Sequence, residues 1–151
     1  MDRYAKTFTV RWADCDVNGH MRNTSYSEYA IDTRMAYLSE NGFPFEKFVE
    51  SGIGPVLLHE SIDYLREVPL GGTLEVDLAI TGLSEDLSRF KFEHDIWLPE
   101  RKKAARIVLY GGWMDMKARK LRVPPEDLQR LLRASPRGEP FEELKSLRSR
   151  G

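Results

Sequence analysis

Apolar and polar residues trade places along this chain in two rhythms, and the rhythms mark its elements. Residues 5–13 alternate, with Phe8, Val10 and Trp12 on one side and Thr7, Thr9 and Arg11 on the other, which predicts a half-buried strand. From about Thr24 to Asn41 the spacing lengthens. Tyr26, Tyr29, Ala30, Thr33 and Tyr37 recur at helical intervals, and Ile31, Met35 and Leu38 widen that face. Only Glu28, Asp32 and Ser39 leave a clear polar stripe, so the pattern predicts a helix buried on most sides. Ser25 and Glu28 fit a capping box, Asn23 and Thr24 are also competent caps, and Gly42 supplies the stop. Residues 43–53 read as a loop with a short helical turn.

Alternation then returns. Residues 55–67 set Val56, Leu58, Ile62 and Tyr64 on one face; residues 73–83 set Leu74, Val76, Leu78 and Ile80 inward, with Glu75 and Asp77 outward. These two strands are expected to pair across Pro69 and Gly71-Gly72. Residues 87–98 alternate Phe90, Phe92, Ile96 and Leu98 with charged positions, broken by His94. Residues 104–117 are apolar on both faces, as in a central strand, and their Gly111-Gly112 pair predicts a bulge or a close backbone approach. After Pro124-Pro125 a short helix shows Leu128, Leu131 and Leu132. From Ser135 on, Pro, Gly and charge mix, predicting a mobile tail with a helical turn around Phe141 to Leu147. The order strand, long helix, four strands predicts an α+β domain over 1–134, its antiparallel five-stranded sheet curled around the helix, with 135–151 as the tail.

Composition removes several alternatives. At 151 residues the chain is sized for one domain. A net charge of −1 speaks against nucleic-acid binding through phosphate neutralisation. Cys15 is the one cysteine, and the three histidines show no paired zinc spacing, so neither a disulfide nor a metal is expected. No apolar run resembles a signal peptide or a membrane span, and a cytoplasmic location is expected. G-x-S-x-G, P-loop and G-x-G-x-x-G motifs are missing.

The chemistry concentrates where the first strand meets the helix, in RWADCDVNGHMRNTSYSEY. Asp14, Asp16, Asn18, His20 and Asn23 surround Gly19. The first N–H groups of a helix have no partner within it and carry partial positive charge. A carboxylate delivered beside them suits acyl transfer, with the donors holding a carbonyl oxygen. Each residue also has a plainer reading. Asp16 serves equally as a turn residue satisfying loop backbone. Asp14 serves to orient Arg11 or the loop, His20 is structural, and Tyr26 and Tyr29 belong to the core. Glu60 interrupts an apolar face, where it faces a cavity or is moved aside by a bulge. Cys15 shows no sign of activation.

The stretch RWADCDVNGHMRNTSYSEYAIDTRMAY resembles the opening of hotdog-fold thioesterases of the 4-hydroxybenzoyl-CoA thioesterase-like group, through Asp14, Asp16, Gly19, His20, Asn23, Tyr26 and Tyr29. With the element order, the resemblance covers roughly residues 5–133. It implies that Asp16 is the catalytic carboxylate and that a backbone N–H near Asn23 polarises the thioester. Gly19, His20, Tyr26 and Glu60 are the candidate substrate-binding residues beside them. It also implies an acyl-CoA substrate, no separate cofactor (CoA being part of the substrate), and a homodimer or homotetramer with sites at subunit interfaces. The G-H-x-x-N form is closer to the broader acyl-CoA branch than to the 4-hydroxybenzoyl enzymes. Two other functions share the fold: hydrolysis of acyl-carrier-protein thioesters, and a non-catalytic acyl-thioester binding module.

Overall fold

The computed structural model describes residues 3–147. In chain order they form β1 (Tyr4–Thr9), a 3-10 turn (Trp12–Asp14), α1 (Asn23–Glu40), α2 (Phe45–Ser51), β2 (Ile53–Tyr64), β3 (Thr73–Ser84), β4 (Arg89–Leu98), β5 (Lys102–Asp115), β6 (Lys120–Leu121), α3 (Glu126–Ala134) and β7 (Arg137–Leu144). The main path of the sheet runs β1-β3-β4-β5-β2 with antiparallel neighbours. No described helix is long and apolar enough to cross a membrane.

The inward faces predicted for β3 and β4, and the doubly apolar β5, are found in the core, whereas Leu58 and Tyr64 of β2 are exposed. Leu74, Val76, Leu78 and Ile80 of β3 join Phe90, Phe92 and Ile96 of β4 and Ile107, Leu109 and Trp113 of β5 in one buried core. Onto it α1 lays Tyr26, Tyr29, Ala30, Thr33, Tyr37 and Leu38. Its other side carries exposed Glu28, Ile31, Asp32 and Ser39, so this 18-residue helix is covered along one face rather than on most sides. The predicted capping box does not form: Arg22 occupies the cap, and the Ser25 hydroxyl donates instead to the Asp14 carbonyl at 3.3 Å.

The first strand ends at Thr9, earlier than alternation suggests. Trp12 lies in the 3-10 turn and is 81% exposed, while Val10 remains buried. The predicted pairing of β2 with β3 is also corrected. β2 pairs with β5 at one edge of the sheet, whereas β3 lies between β1 and β4. The connecting loop does not reverse the chain locally, because it is bound to the strand-to-helix junction. Met21 N–H donates to the Val68 carbonyl at 2.8 Å, Leu70 N–H to Gly19 at 2.9 Å and Gly71 N–H to Val10 at 3.1 Å.

Two glycines expected to mark a bulge or close approach mark both. A Cβ on Gly111 would stand 2.4 Å from the Val56 carbonyl and 2.5 Å from the Phe90 ring. The bulge itself is on the opposing strand, between Leu57 and His59. It expels Leu58 and shifts parity, leaving Glu60 opposite buried Leu109. The segment after Ser135 departs most from expectation. Arg137–Leu144 is a strand, parallel to the second half of β3 along the edge that β1 occupies in the first half; with β6, which pairs with β5, it brings the sheet to seven strands rather than five. Backbone pairing with β3, the packing of Phe141 against the core and the contacts of Glu142 with Lys91 and Tyr110 hold it without regular side-chain alternation. The end of the predicted tail, 148–151, lies outside the described residues.

Candidate active site

The junction between β1 and α1 is built around two aspartates. The Asp14 side chain points inward and is 2% exposed. Arg11 grips it with three donors: its backbone N–H and Nε to Oδ2 at 3.2 and 3.1 Å, and Nη2 to Oδ1 at 3.0 Å. The Tyr29 hydroxyl donates to Oδ2 from the second turn of α1. The Asp14 carbonyl in turn accepts Arg22 N–H at 2.7 Å. Arg11 above all, with the Tyr29 hydroxyl adding to it, holds the Asp14 carboxyl down at about 2. Asp14 thereby ties the strand end to the helix.

Asp16 faces the other way and is exposed. Its Oδ1 accepts the backbone N–H of Asn18 at 2.9 Å and of His20 at 3.3 Å. Its own backbone closes the turn: Asp16 N–H donates to His20 O at 2.8 Å, and Gly19 N–H to Asp16 O at 3.1 Å. Gly19 has φ +75, a left-handed conformation that a side chain would strain. Cys15 pairs with Met21 across this hairpin-like turn, and His20 with Pro69 beyond it. The carboxylate is thus aimed by backbone groups rather than by another side chain.

Asn23 follows directly as the first residue of α1. Of the first N–H groups of the helix, that of Ser25 donates to the Arg22 carbonyl at 3.0 Å, and those of Asn23 and Thr24 have no partner within the helix. The Asn23 carbonyl accepts the Tyr64 hydroxyl at 3.3 Å, which fixes the start of α1 beside the end of β2. Tyr26 is buried one turn on; its hydroxyl donates to the Arg66 carbonyl at 3.1 Å and its ring meets Tyr64 edge-on at 5.0 Å. Burial raises its hydroxyl pKa. Asp16, Gly19 and His20 therefore share one turn that leads into Asn23, and Tyr26 buttresses it from beneath.

Glu60 is elsewhere. It sits four residues back along β2, about 13 Å from Tyr64 at strand rise, where its charge acts on Arg34. Arg34 reaches between helix and sheet to His94 Nε2 at 3.3 Å. His94 is fully buried with Nδ1 2.8 Å from the Asp77 carbonyl, and burial first, then Arg34, pushes its pKa down to about 3. Neutral His94 donates from Nδ1 and accepts from Arg34, the structural role its place in an apolar face suggests. Sequence reasoning missed Glu67, whose carboxylate lies 3.4 Å from His20 Nε2. No local pattern announces it, because the contact depends on the loop folding back onto the turn. Among the described residues, no three His, Cys, Asp or Glu side chains are grouped to hold a metal.

An exposed carboxylate steered by backbone donors beside a helix start can attack or deprotonate, while the helix N–H groups polarise a carbonyl. Comparison with known proteins points the same way. A family model described as the Thioesterase-like superfamily matches residues 10–132. A protein of Aquifex aeolicus (strain VF5) named "Putative esterase" is 30% identical over 83 residues, which span 55% of this chain and 62% of that protein. The 1,4-dihydroxy-2-naphthoyl-CoA thioesterase of Synechocystis superposes with a TM-score of 0.79 at 21% identity, covering 88% of this chain and 97% of that one. A hypothetical protein of Staphylococcus aureus, solved in complex with CoA, does so with a TM-score of 0.79 at 19% identity, covering 89% and 87%. At such identities the structural likenesses speak for the fold, a hotdog-like curled sheet. The match over most of its length shows that the chain belongs to the thioesterase-like superfamily.

Proposed function

We propose that this protein hydrolyses acyl-CoA thioesters to a free acid and CoA. The observation that carries the reading is the exposed Asp16 carboxylate, aimed by two backbone N–H groups on a turn that opens into α1. In the reaction the thioester carbonyl oxygen takes a hydrogen bond from the Asn23 N–H. Asp16 either attacks the carbonyl carbon, giving a mixed anhydride that water opens, or removes a proton from the attacking water. Both routes break the C–S bond and release CoA as its thiol. Gly19 and His20 flank the reacting group, and Tyr26 keeps the helix start in place. No cofactor beyond the substrate's own CoA is needed.

Arg66, Arg89, Lys102, Lys103 and Arg106 are the cations available to the CoA phosphates, and of these Lys102, Lys103 and Arg106 already pair with Glu100, Asp95 and Glu93. Exposed Arg66, whose carbonyl anchors Tyr26 and whose guanidinium donates to the Lys103 carbonyl at 2.7 Å, is the phosphate contact in this reading. The working unit is a homodimer formed along β2, or a tetramer of such dimers. No described strand covers the outer edge of β2, and its Leu57, Leu58 and Tyr64 are exposed. In that assembly α1 becomes the enclosed central helix that its sequence pattern predicts. A cytoplasmic location goes with this reading.

The test is CoA release from short, medium, long-chain and aryl acyl-CoAs by wild type and Asp16→Asn. The expected result is turnover of at least one ester, reduced about 100-fold or more in the variant with its fold intact. Turnover confined to acyl-carrier-protein thioesters would move the substrate to a carrier protein. Binding without turnover, unaffected by Asp16→Asn, would make the chain a binding module.

A further inference from the structure

Arg34 reaches between α1 and the sheet without a carboxylate to meet it. Among the described residues its one hydrogen bond runs from Nη1 to Nε2 of fully buried His94, at 3.3 Å. A guanidinium carries five donors and keeps its charge inside proteins. His94 is neutral, so it fills one donor and offsets none of that charge. No described carboxylate forms an ion pair with Arg34, and Glu60 acts on it only from a distance. Charges drawn away from water are ordinarily paired, and this one is not.

Arg34 also lines a cavity of about 180 Å³ between α1 and the sheet. Ile31, Met35 and Leu38 form its helix side, and Val56, Phe92 and Trp113 are among the strand residues opposite. Arg34 is the only lining residue with a charge, and no lining side chain offers an oxygen acceptor. The indole N–H of Trp113 is itself buried without a hydrogen-bond partner. Two lining residues thus hold unfilled donors, one of them charged, and the rest of the wall is apolar. An apolar cavity of roughly 150 Å³ takes a benzene ring, so a ligand body of about one ring fits here. Exposed Ile31, Pro55 and Leu57 set the mouth where α1 faces β2.

We propose that this cavity binds a free carboxylic acid, its carboxylate paired with Arg34 and its apolar body filling the space under α1. A carboxylate presents two oxygens to the planar guanidinium and one charge to its one charge. A phosphate monoester would bring a second charge that no other lining residue meets. The carboxylate is that of a free acid, not the far end of a thioester's acyl chain. Asn23 and Arg34 are eleven residues apart, about 16 Å along α1. No α1 residue before Ile31 lines the cavity, and buried Tyr26 and Ala30 close the helix against the sheet in between. An acyl group whose carbonyl is held at Asn23 therefore stays outside it. Every residue of the site belongs to one copy of the chain, and the site stands apart from the thioesterase reading.

The test is calorimetric titration of the full chain with benzoate and hexanoate, and with their uncharged counterparts benzamide and hexanamide. The acids should bind wild type at least tenfold more tightly than the amides. Arg34→Met keeps the apolar stem and removes the charge. With its fold verified by circular dichroism, it should lose at least tenfold in acid affinity and leave the amides unchanged. Glu60→Gln, which removes the carboxylate that acts on Arg34 from a distance, should tighten acid binding about threefold. Ile31→Trp, at an exposed helix position beside the mouth, leaves Arg34 in place and should weaken acids and amides alike. No binding of either acid to wild type, or acids held no better than amides, would overturn the proposal. So would acid affinity that Arg34→Met or Ile31→Trp leaves untouched. A last arm separates the sources of the carboxylate. If wild type hydrolyses dodecanedioyl-CoA faster than dodecanoyl-CoA and Arg34→Met loses that preference, the carboxylate belongs to a bound acyl chain and the free-acid site is overturned. If no thioester is hydrolysed, the thioesterase reading falls, and the titration still decides this site.

Discussion

Asp14 and Asp16 stand two residues apart in one turn and meet opposite surroundings. Asp14 is buried, its carboxylate taken by the Arg11 guanidinium and the Tyr29 hydroxyl. Asp16 is exposed, and two backbone N–H groups from the following turn orient it. A carboxylate whose acceptors are filled by side chains from both flanking elements has become a joint between them. One steered from the backbone and open to solvent has its outer face free of protein side chains, as the proposed function requires. Residue type and near neighbours in sequence are alike, so the contrast comes from which side of the turn each faces.

Three substitutions sharpen this contrast. The largest effect on stability is expected from Asp14→Ala, which leaves the Tyr29 hydroxyl and Arg11 without their acceptor. A loss of about 2–3 kcal/mol, read from urea unfolding, corresponds to a drop in Tm of roughly 5–10 °C for a chain of this size. Gly19→Ala comes next. Nothing crowds the added Cβ, so its cost of about 1–2 kcal/mol is that of the positive φ alone, and loosening the Asp16 turn should slow CoA release as well. Tyr29→Phe removes one hydrogen bond and is expected to cost about 1 kcal/mol with kcat nearly preserved; a large loss of kcat would draw Asp14 and Tyr29 into the chemistry.

The pH dependence of the first substitution gives a finer check. Folding lowers the Asp14 carboxyl from its ordinary value to about 2. The stabilisation is therefore fully present above the unfolded-state value near 4 and is lost as pH falls towards 2. The gap in unfolding free energy between wild type and Asp14→Ala should be constant from pH 5 to 8 and should close between pH 4 and 2. A gap that persists at pH 2 would mean that packing, not the charged hydrogen bonds, supplies it.

Much of the fold is legible in the sequence because long elements average over local exceptions. The rhythm of β3 and β4 survives the His94 interruption, β5 shows itself by its continuous apolar run, and α1 declares itself through Tyr26, Tyr29, Thr33 and Tyr37. Short or backbone-held features are silent. β7 has no alternation to read; hydrogen bonds to β3 and the isolated contacts of Phe141 and Glu142 hold it. One expelled residue, Leu58, changes which face every later residue of β2 occupies and sets Glu60 against α1 and Arg34, away from Asp16. Asp14 is instructive in another way. Strand parity with Trp12 suggests that it is partly buried, yet Trp12 is exposed and Asp14 buried, because a 3-10 turn has replaced the strand by that point. The expectation holds while its reason does not. The Asp16 turn itself was readable from Gly19 and the polar spacing, whereas Glu67 beside His20 depends on a loop closure that no nearby pattern records.

The central claim is that one aspartate of the pair does chemistry and the other holds structure. Its most direct test is to measure kcat/KM for CoA release and Tm side by side for Asp16→Asn and Asp14→Ala. The account predicts that Asp16→Asn loses about 100-fold or more in kcat/KM while Tm is unchanged. Asp14→Ala should melt well below wild type yet keep most of its turnover at temperatures where it remains folded. Full turnover by Asp16→Asn, or abolished turnover in folded Asp14→Ala, would contradict it.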